Sequence, residues 1–193
     1  LPNVTHSRRI TGIALQPTTS SIYSISEDKS IGIWNSNTFH KRTSPSSPLL
    51  FSIVSQNEEW LAATSLEGGA KLWRIKAGND FKFYSYPNHI ADKNAIVFSP
   101  DNLIFAFISK DNKIEFYSLP VEVQEDPKFL GSISIPEKNI KNLQFSVDNK
   151  YLFAIVNENK IAIWDTKKIP TNHSQEIFPD FTTSELSSRI TTY

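Results

Sequence analysis

Thr11-Gly12-Ile13-Ala14-Leu15-Gln16-Pro17, followed by Ser24-Ile25-Ser26-Glu27-Asp28-Lys29-Ser30-Ile31-Gly32-Ile33-Trp34, returns in weakened form three more times along the chain. A period of about 40–45 residues means that one small structural unit is repeated, each burying its apolar face against its neighbours. Working outward from this stretch settles the fold class and removes most enzyme classes with it.

Each unit holds three apolar runs separated by turn residues. In the first they are 10–15, 22–25 and 31–34; in the second 49–54, 60–63 and 70–73. The third has 95–98, 103–108 and 114–117, and the fourth has 140–145, 151–156 and 161–164. Short β-branched and aromatic runs bounded by Asp, Asn, Gly, Ser or Pro read as strands. A weaker fourth strand fits around 39–42, 81–84, 129–135 and 176–178. The chain is therefore expected to be all-β, with four antiparallel strands per unit.

The register is tight. The turn after the first strand ends at Pro17, Gln56, Pro100 and Val147, and seventeen residues later come Trp34, Trp73, Tyr117 and Trp164. Six residues before each aromatic stands an acid: Asp28, Glu67, Asp111 and Glu158. Eleven residues before Pro17 and Pro100 stand His6 and His89, where the other units have Pro45 and Pro136.

These residues resemble the WD-repeat β-propeller family over about 160 positions. Trp164-Asp165 matches the dipeptide that closes the third strand; Trp34-Asn35 and Trp73-Arg74 match in part, and Tyr117-Ser118 diverges. Phe98-Ser99-Pro100-Asp101 and Phe145-Ser146-Val147-Asp148 resemble the family's first-strand ending, and Thr5-His6 and Asn88-His89 its Gly-His. The resemblance implies blades of four antiparallel strands, at about 6–45, 46–88, 89–135 and 136–178, together a domain over 1–170. A Ser/Thr-rich tail or linker is expected at 171–193. Propellers have roughly 4–8 blades, and the resemblance implies about seven. Four blades leave edges and faces open, which favours capture by a partner. The expectation is a piece of a larger ring, its other blades coming from the parent chain or from a partner.

The resemblance also gives the polar residues a role. His6 beside Asp28 is a pair that can orient an imidazole for general-base work. In WD-like blades such a histidine, a strand serine, the turn acid and the tryptophan instead form a structural hydrogen-bond network. His6, Ser24, Asp28 and Trp34 make the complete set; His89, Asp111, Trp73 and Trp164 are the partial ones. The second and fourth units lack the histidine and are expected to rely on apolar packing.

Composition narrows the rest. With 39% hydrophobic residues, 13 Phe, 6 Tyr and 4 Trp in 193 residues, the chain is too apolar for disorder. Lys+Arg and Asp+Glu are 20 each, so no global field draws it to nucleic acid or anionic lipid. Cysteine is absent, which removes disulfides, thiolate metal sites and thiol nucleophiles and fits an intracellular setting, cytoplasmic or nuclear. Methionine is absent too, which suggests a chain that starts inside a longer product or has been processed. No apolar run nears the roughly 20 residues of a membrane span. Asn3-Val4-Thr5 and Asn172-His173-Ser174 match the glycosylation sequon, a pattern common by chance. No glycine-rich phosphate loop, metal-ligand histidine spacing or nucleophile elbow is visible, so no enzyme, cofactor or metal is expected.

What remains is a non-enzymatic protein–protein interaction scaffold within a multi-subunit assembly. By resemblance, partners meet the residues just before the first strand and just before the turn acid: Ser7, Arg9 and Glu27; Ser46, Pro48 and Leu66; Ile90, Asp92 and Lys110; Glu137, Asn139 and Asn157. Arg8 pairs with Arg9, and the planar guanidinium suits interface anchors. Two alternatives are a nucleic-acid or ribonucleoprotein platform using Arg8 and Arg9, and a propeller attached to an enzyme outside this segment. The acidic, proline-bracketed insertion at 120–127 reads as a surface loop.

Overall fold

Among the described residues, sixteen strands form four antiparallel sheets, each built from four consecutive strands in simple meander order. The computed structural model describes residues 6–35, 38–43, 47–67, 69–75, 82–86, 95–122, 125–135, 139–157, 159–169 and 180–182. The chain divides into two units, Leu1–Lys93 and Asn94–Tyr193, with two sheets in each.

In the first unit, β1 (Ile10–Gln16), β2 (Ser21–Ser26), β3 (Ser30–Asn35) and β4 (Thr38–Thr43) make sheet 1. β5 (Leu49–Val54), β6 (Trp60–Ser65), β7 (Ala70–Arg74) and β8 (Phe83–Tyr86) make sheet 2. Alternation decides which side chains go inward, because successive residues of a strand face opposite ways. Ala14, Tyr23, Ile25 and Ile31 leave sheet 1 on one face and meet Leu49, Leu61, Ala63 and Trp73 of sheet 2 in one buried cluster. Each fully buried isoleucine there is worth about 1.5–3 kcal/mol. Gly12 lies on this seam, where an added Cβ would stand 3.1 Å from Ile25 Cγ1 and 3.3 Å from Ser52 Oγ.

In the second unit, β9 (Ile96–Phe98), β10 (Ile104–Ile108), β11 (Lys113–Ser118) and β12 (Phe129–Ser134) make sheet 3. β13 (Lys141–Phe145), β14 (Tyr151–Val156), β15 (Lys160–Asp165) and β16 (Phe181–Thr182) make sheet 4. β13 lies beside β9 and β10. Phe105, Phe107, Leu152, Val156 and Trp164 are buried, and Tyr117 stacks on Phe107 with ring centroids 5.6 Å apart.

The turn after the first strand recurs in sheets 2, 3 and 4. Ser55, Ser99 and Ser146 each accept the backbone N–H five residues on and donate to Asn57, Asp101 and Asp148 respectively. The residue that follows, Glu58, Asn102 or Asn149, has φ near +60°, a region that asparagine tolerates better than most side chains. Hydrogen bonds from Ser146 and then Lys150 hold the Asp148 carboxyl down to about 2. Sheet 1 has Gln16 where the others have serine, and it turns instead through a 3-10 segment at Pro17–Thr19.

Three boundaries differ from the sequence reading. β8 lies at Phe83–Tyr86 rather than 81–84. The outer strand of the fourth unit was expected at 176–178, which lies outside the described residues; the strand that pairs with β15 is Phe181–Thr182. Part of the stretch read as a tail therefore belongs to sheet 4. A strand was expected within this stretch, but two residues are too few for a periodic signal to fix its position.

Candidate functional site

The polar residues of sheet 1 converge on one imidazole. His6 Nε2 lies 2.7 Å from Ser24 Oγ, and Nδ1 lies 3.2 Å from Asp28 Oδ1. Trp34 Nε1 donates to the same Ser24 Oγ at 2.8 Å. Asp28 accepts further from the Ser7 N–H at 2.7 Å, the Ser30 N–H at 3.1 Å and the Ser30 hydroxyl. A carboxylate can only accept, so in the neutral imidazole Nδ1 carries the proton and Nε2 accepts from Ser24. Every member then has a use for its donor and acceptor.

The connectivity serine–histidine–aspartate is also that of a hydrolase triad, which is recognised by geometry rather than by sequence position. What distinguishes this set is access. The His6 side chain is 1% exposed and Ser24 is 3% exposed, and the serine oxygen already accepts from an indole. A nucleophile needs an open approach to an electrophile beside oxyanion donors; this hydroxyl is enclosed.

The other units diverge. In sheet 2, Ala63 takes the place of the serine, and Trp73 packs on Phe83 at 5.4 Å between centroids. Lys71 is buried in the same sheet, with Nζ 2.6 Å from Ser85 Oγ and 5.5 Å from the Phe83 ring. Burial pushes its ammonium pKa down, opposed by nearby Glu67. In sheet 4, Ala154 takes the serine's place, and the buried Trp164 Nε1 has no hydrogen-bond partner among the described residues. In sheet 3, Asp111 is exposed in the β10–β11 turn; His89 lies outside the described residues.

Of the partner-facing candidates, Arg9 and Glu27 are brought together. Arg9 Nε lies 3.1 Å from Glu27 Oε1, and the Glu27 N–H donates to the Arg9 carbonyl at 3.0 Å. Arg8 is exposed beside them, and its carbonyl accepts from Ser26 Oγ at 3.2 Å. In sheet 2, the Leu66 N–H donates to the Pro48 carbonyl at 2.9 Å, with Leu66 58% exposed. Lys110 is exposed in the β10–β11 turn. Asn139 and Asn157 are exposed at one end of sheet 4, both with positive φ. Ser46, Ile90, Asp92, Glu137 and both sequons lie outside the described residues.

Two groups escaped the sequence reading. Arg74 is buried, with its guanidinium 5.2 Å from the Trp60 ring and 3.5 Å from the Glu59 carboxylate. The available signal was the Trp73-Arg74 dipeptide, where an arginine replaces the expected aspartate. The second group is Gln16, Tyr23 and Glu58. Tyr23 donates to Gln16 Oε1 at 2.7 Å, Gln16 Nε2 donates to the Glu58 carbonyl at 2.8 Å, and burial with Glu58 nearby pushes the phenol up to about 12.

Among the described residues no cluster of His, Cys, Asp or Glu is arranged to hold a metal ion, and no helix is long and apolar enough to cross a membrane. Residues 3–35 match the family model of the WD domain, G-beta repeat. Over 181 residues the chain is 22% identical to Protein ROOT INITIATION DEFECTIVE 3 of Arabidopsis thaliana, a match covering 85% of this chain and 40% of that protein. The chain thus spans less than half the length of this relative. WD repeats generally mediate protein–protein interaction, and their propellers are typically non-enzymatic. Residues 3–35 thus match a WD repeat, and the four antiparallel sheets are consistent with the form of WD-repeat propeller blades.

Proposed function

We propose that the chain is a protein–protein interaction scaffold, a propeller segment of a multi-subunit assembly, that meets partners through the turn ends of its blades. One observation carries this reading: the residues with catalytic chemistry, Ser24, His6 and Asp28, are enclosed and tied to Trp34, whereas the charged turn residues are presented outward. In this reading His6, Ser24, Asp28 and Trp34 hold blade 1 rigid. Trp73 and Trp164 anchor their blades by packing. A satisfied buried polar network rigidifies its surroundings, and rigid strands carrying exposed loops are the usual platform for binding. Arg8, Arg9 and Glu27 form the binding edge of blade 1, Lys110 that of blade 3, and Asn139 and Asn157 that of blade 4.

The test is cross-linking mass spectrometry on the tagged chain in its native cells, comparing wild type with Arg8→Ala/Arg9→Ala and with Lys110→Ala. The expected result is loss of a defined subset of cross-linked proteins with the thermal melt unchanged. An identical partner set in all three would overturn the assignment of these turn ends.

A further inference from the structure

Lys71 stands at a position where the other three sheets carry no cation. Counting back from the closing aromatic, the same place holds Gly32 in sheet 1, Glu115 in sheet 3 and Ala162 in sheet 4. Lys71 is only 5% exposed, and its ammonium rests 5.5 Å from the centre of the Phe83 ring. Among the described residues its one hydrogen-bond partner is Ser85 Oγ, at 2.6 Å, and it makes no ion pair. The Glu67 carboxylate acts on it from a distance only. Buried charges are ordinarily paired with an opposite charge, and this ammonium has a neutral hydroxyl instead.

That hydroxyl is placed to receive a charge. Ser85 is exposed although Lys71 is not, and the two face each other directly across β7 and β8. The Arg74 N–H donates to the Lys82 carbonyl at 3.2 Å, which makes those two a hydrogen-bonded pair. Alternation along the antiparallel ladder then makes Lys71 and Ser85 a non-hydrogen-bonded pair, the kind that brings side chains closest. The same alternation turns the Ser85 N–H and C=O away from β7, and β8 is the outermost strand of its sheet. An enzyme that reads extended segments can approach it along that edge. Tyr84 and Tyr86 pair with Leu72 and Ala70 and stand on the opposite face, so Ser85 is the hydroxyl of β8 that meets Lys71.

We infer that Ser85 is a phosphorylation site and that Lys71 is the built-in receptor for its phosphate. On a protein kinase the Ser85 hydroxyl loses its proton, its oxygen bonds to the γ-phosphorus of a nucleoside triphosphate, and the bond to the departing diphosphate breaks. The side chain then carries about −1.5 to −2 charge at neutral pH, with three strong acceptor oxygens. Because Oγ already lies 2.6 Å from Nζ, those oxygens come within reach of the ammonium with β7 and β8 in place. Charge-assisted bonds are roughly twice as strong as neutral ones, so the phosphate pins β8 to β7. Modification thus tightens the outer edge of sheet 2 instead of melting it. The inference draws on the register of β7 and β8 and not on the turn ends, so it stands or falls separately from the scaffold reading.

The experiment installs phosphoserine at position 85 of the full chain by genetic code expansion, in the wild-type and Lys71→Met backgrounds. In urea denaturation, phosphorylation is expected to lower the unfolding constant of the wild-type background at least about fivefold, and Lys71→Met should abolish that gain. Phosphorus NMR gives a second readout: the phosphate should lose its second proton at lower pH in the wild-type background than in Lys71→Met, because a neighbouring cation favours the dianion. Lys71→Gln takes the place of Lys71→Met should the latter fail to fold, and is read against the same outcomes. Site mapping of the protein from its native cells is expected to find phosphate on Ser85. The proposal is overturned by a phosphate that leaves the wild-type unfolding constant unchanged or raises it, by equal effects or equal phosphate titrations in the two backgrounds, or by a native protein that carries no phosphate at Ser85.

Discussion

Trp34 Nε1 donates to Ser24 Oγ at 2.8 Å, a bond that sheet 4 lacks because Ala154 stands where the serine would be and leaves the buried Trp164 Nε1 without a partner among the described residues. An unmet buried donor costs more than a met one contributes. Ala154→Ser is therefore expected to stabilise the protein by about 1 kcal/mol, read as a rise in the urea midpoint at constant slope. A fall in the midpoint would mean that the added oxygen does not reach the indole.

The converse substitution should be costly. Ser24→Ala removes the group shared by His6 Nε2 and Trp34 Nε1, so each ring nitrogen loses a hydrogen bond at an enclosed site. We expect a loss of about 2–4 kcal/mol in equilibrium denaturation. Ser30→Ala should cost less, because Asp28 keeps the Ser7 and Ser30 N–H groups.

Crowding on the seam of the first unit predicts the outcome at Gly12. A branched side chain there meets Ile25, which is fully buried, and Ser52. Gly12→Val should destabilise by about 1–3 kcal/mol. Combining it with Ile25→Val should recover part of that loss, and thermal denaturation of the double variant tests this.

The pH dependence turns on Glu115. Burial pushes its carboxyl pKa above 4.5; the Tyr117 hydroxyl, donating at 3.1 Å, pulls it back, and Asp111 adds to the rise. A carboxyl with a raised folded value binds its proton more readily folded than unfolded. Its contribution is thus full below 4.5 and is lost as pH rises through the folded value. Glu115→Gln removes that loss, so it should be more stable than wild type at neutral pH, with the advantage fading on acidification. Denaturation at a series of pH values reads this directly.

Much of the fold was legible because the repeat places strand, turn acid and closing aromatic at fixed intervals. Pro17 to Trp34 and Val147 to Trp164 are the same distance apart, and each pair spans a turn, a strand, a tight connection and a second strand. Of the outermost strands, β4 and β12 fell where expected, but β8 and β16 were displaced. β8 and β16 pair on one side only, so their sequence is weakly constrained, and their position is set by a partner strand rather than by their own pattern. Of the site, the His6 set stood out because its members sit at repeat positions. Lys71 and Arg74 did not, because burial of a cation depends on neighbours such as Ser85, Phe83 and Trp60 that no spacing rule reveals.

The recurring serine turn reaches beyond its own sheet. Asn149 Nδ2 donates to Asp101 Oδ2 at 2.5 Å, linking the turns of sheets 3 and 4, and the Thr18 N–H donates to the Glu58 carboxylate at 3.0 Å across sheets 1 and 2. In each unit the rim is thus fastened by polar links in addition to the greasy seam behind it. Both links are exposed and add little strength beside the seam, but they fix the spacing of adjoining turns, which makes the rim of each pair of sheets a ruler for whatever lands there.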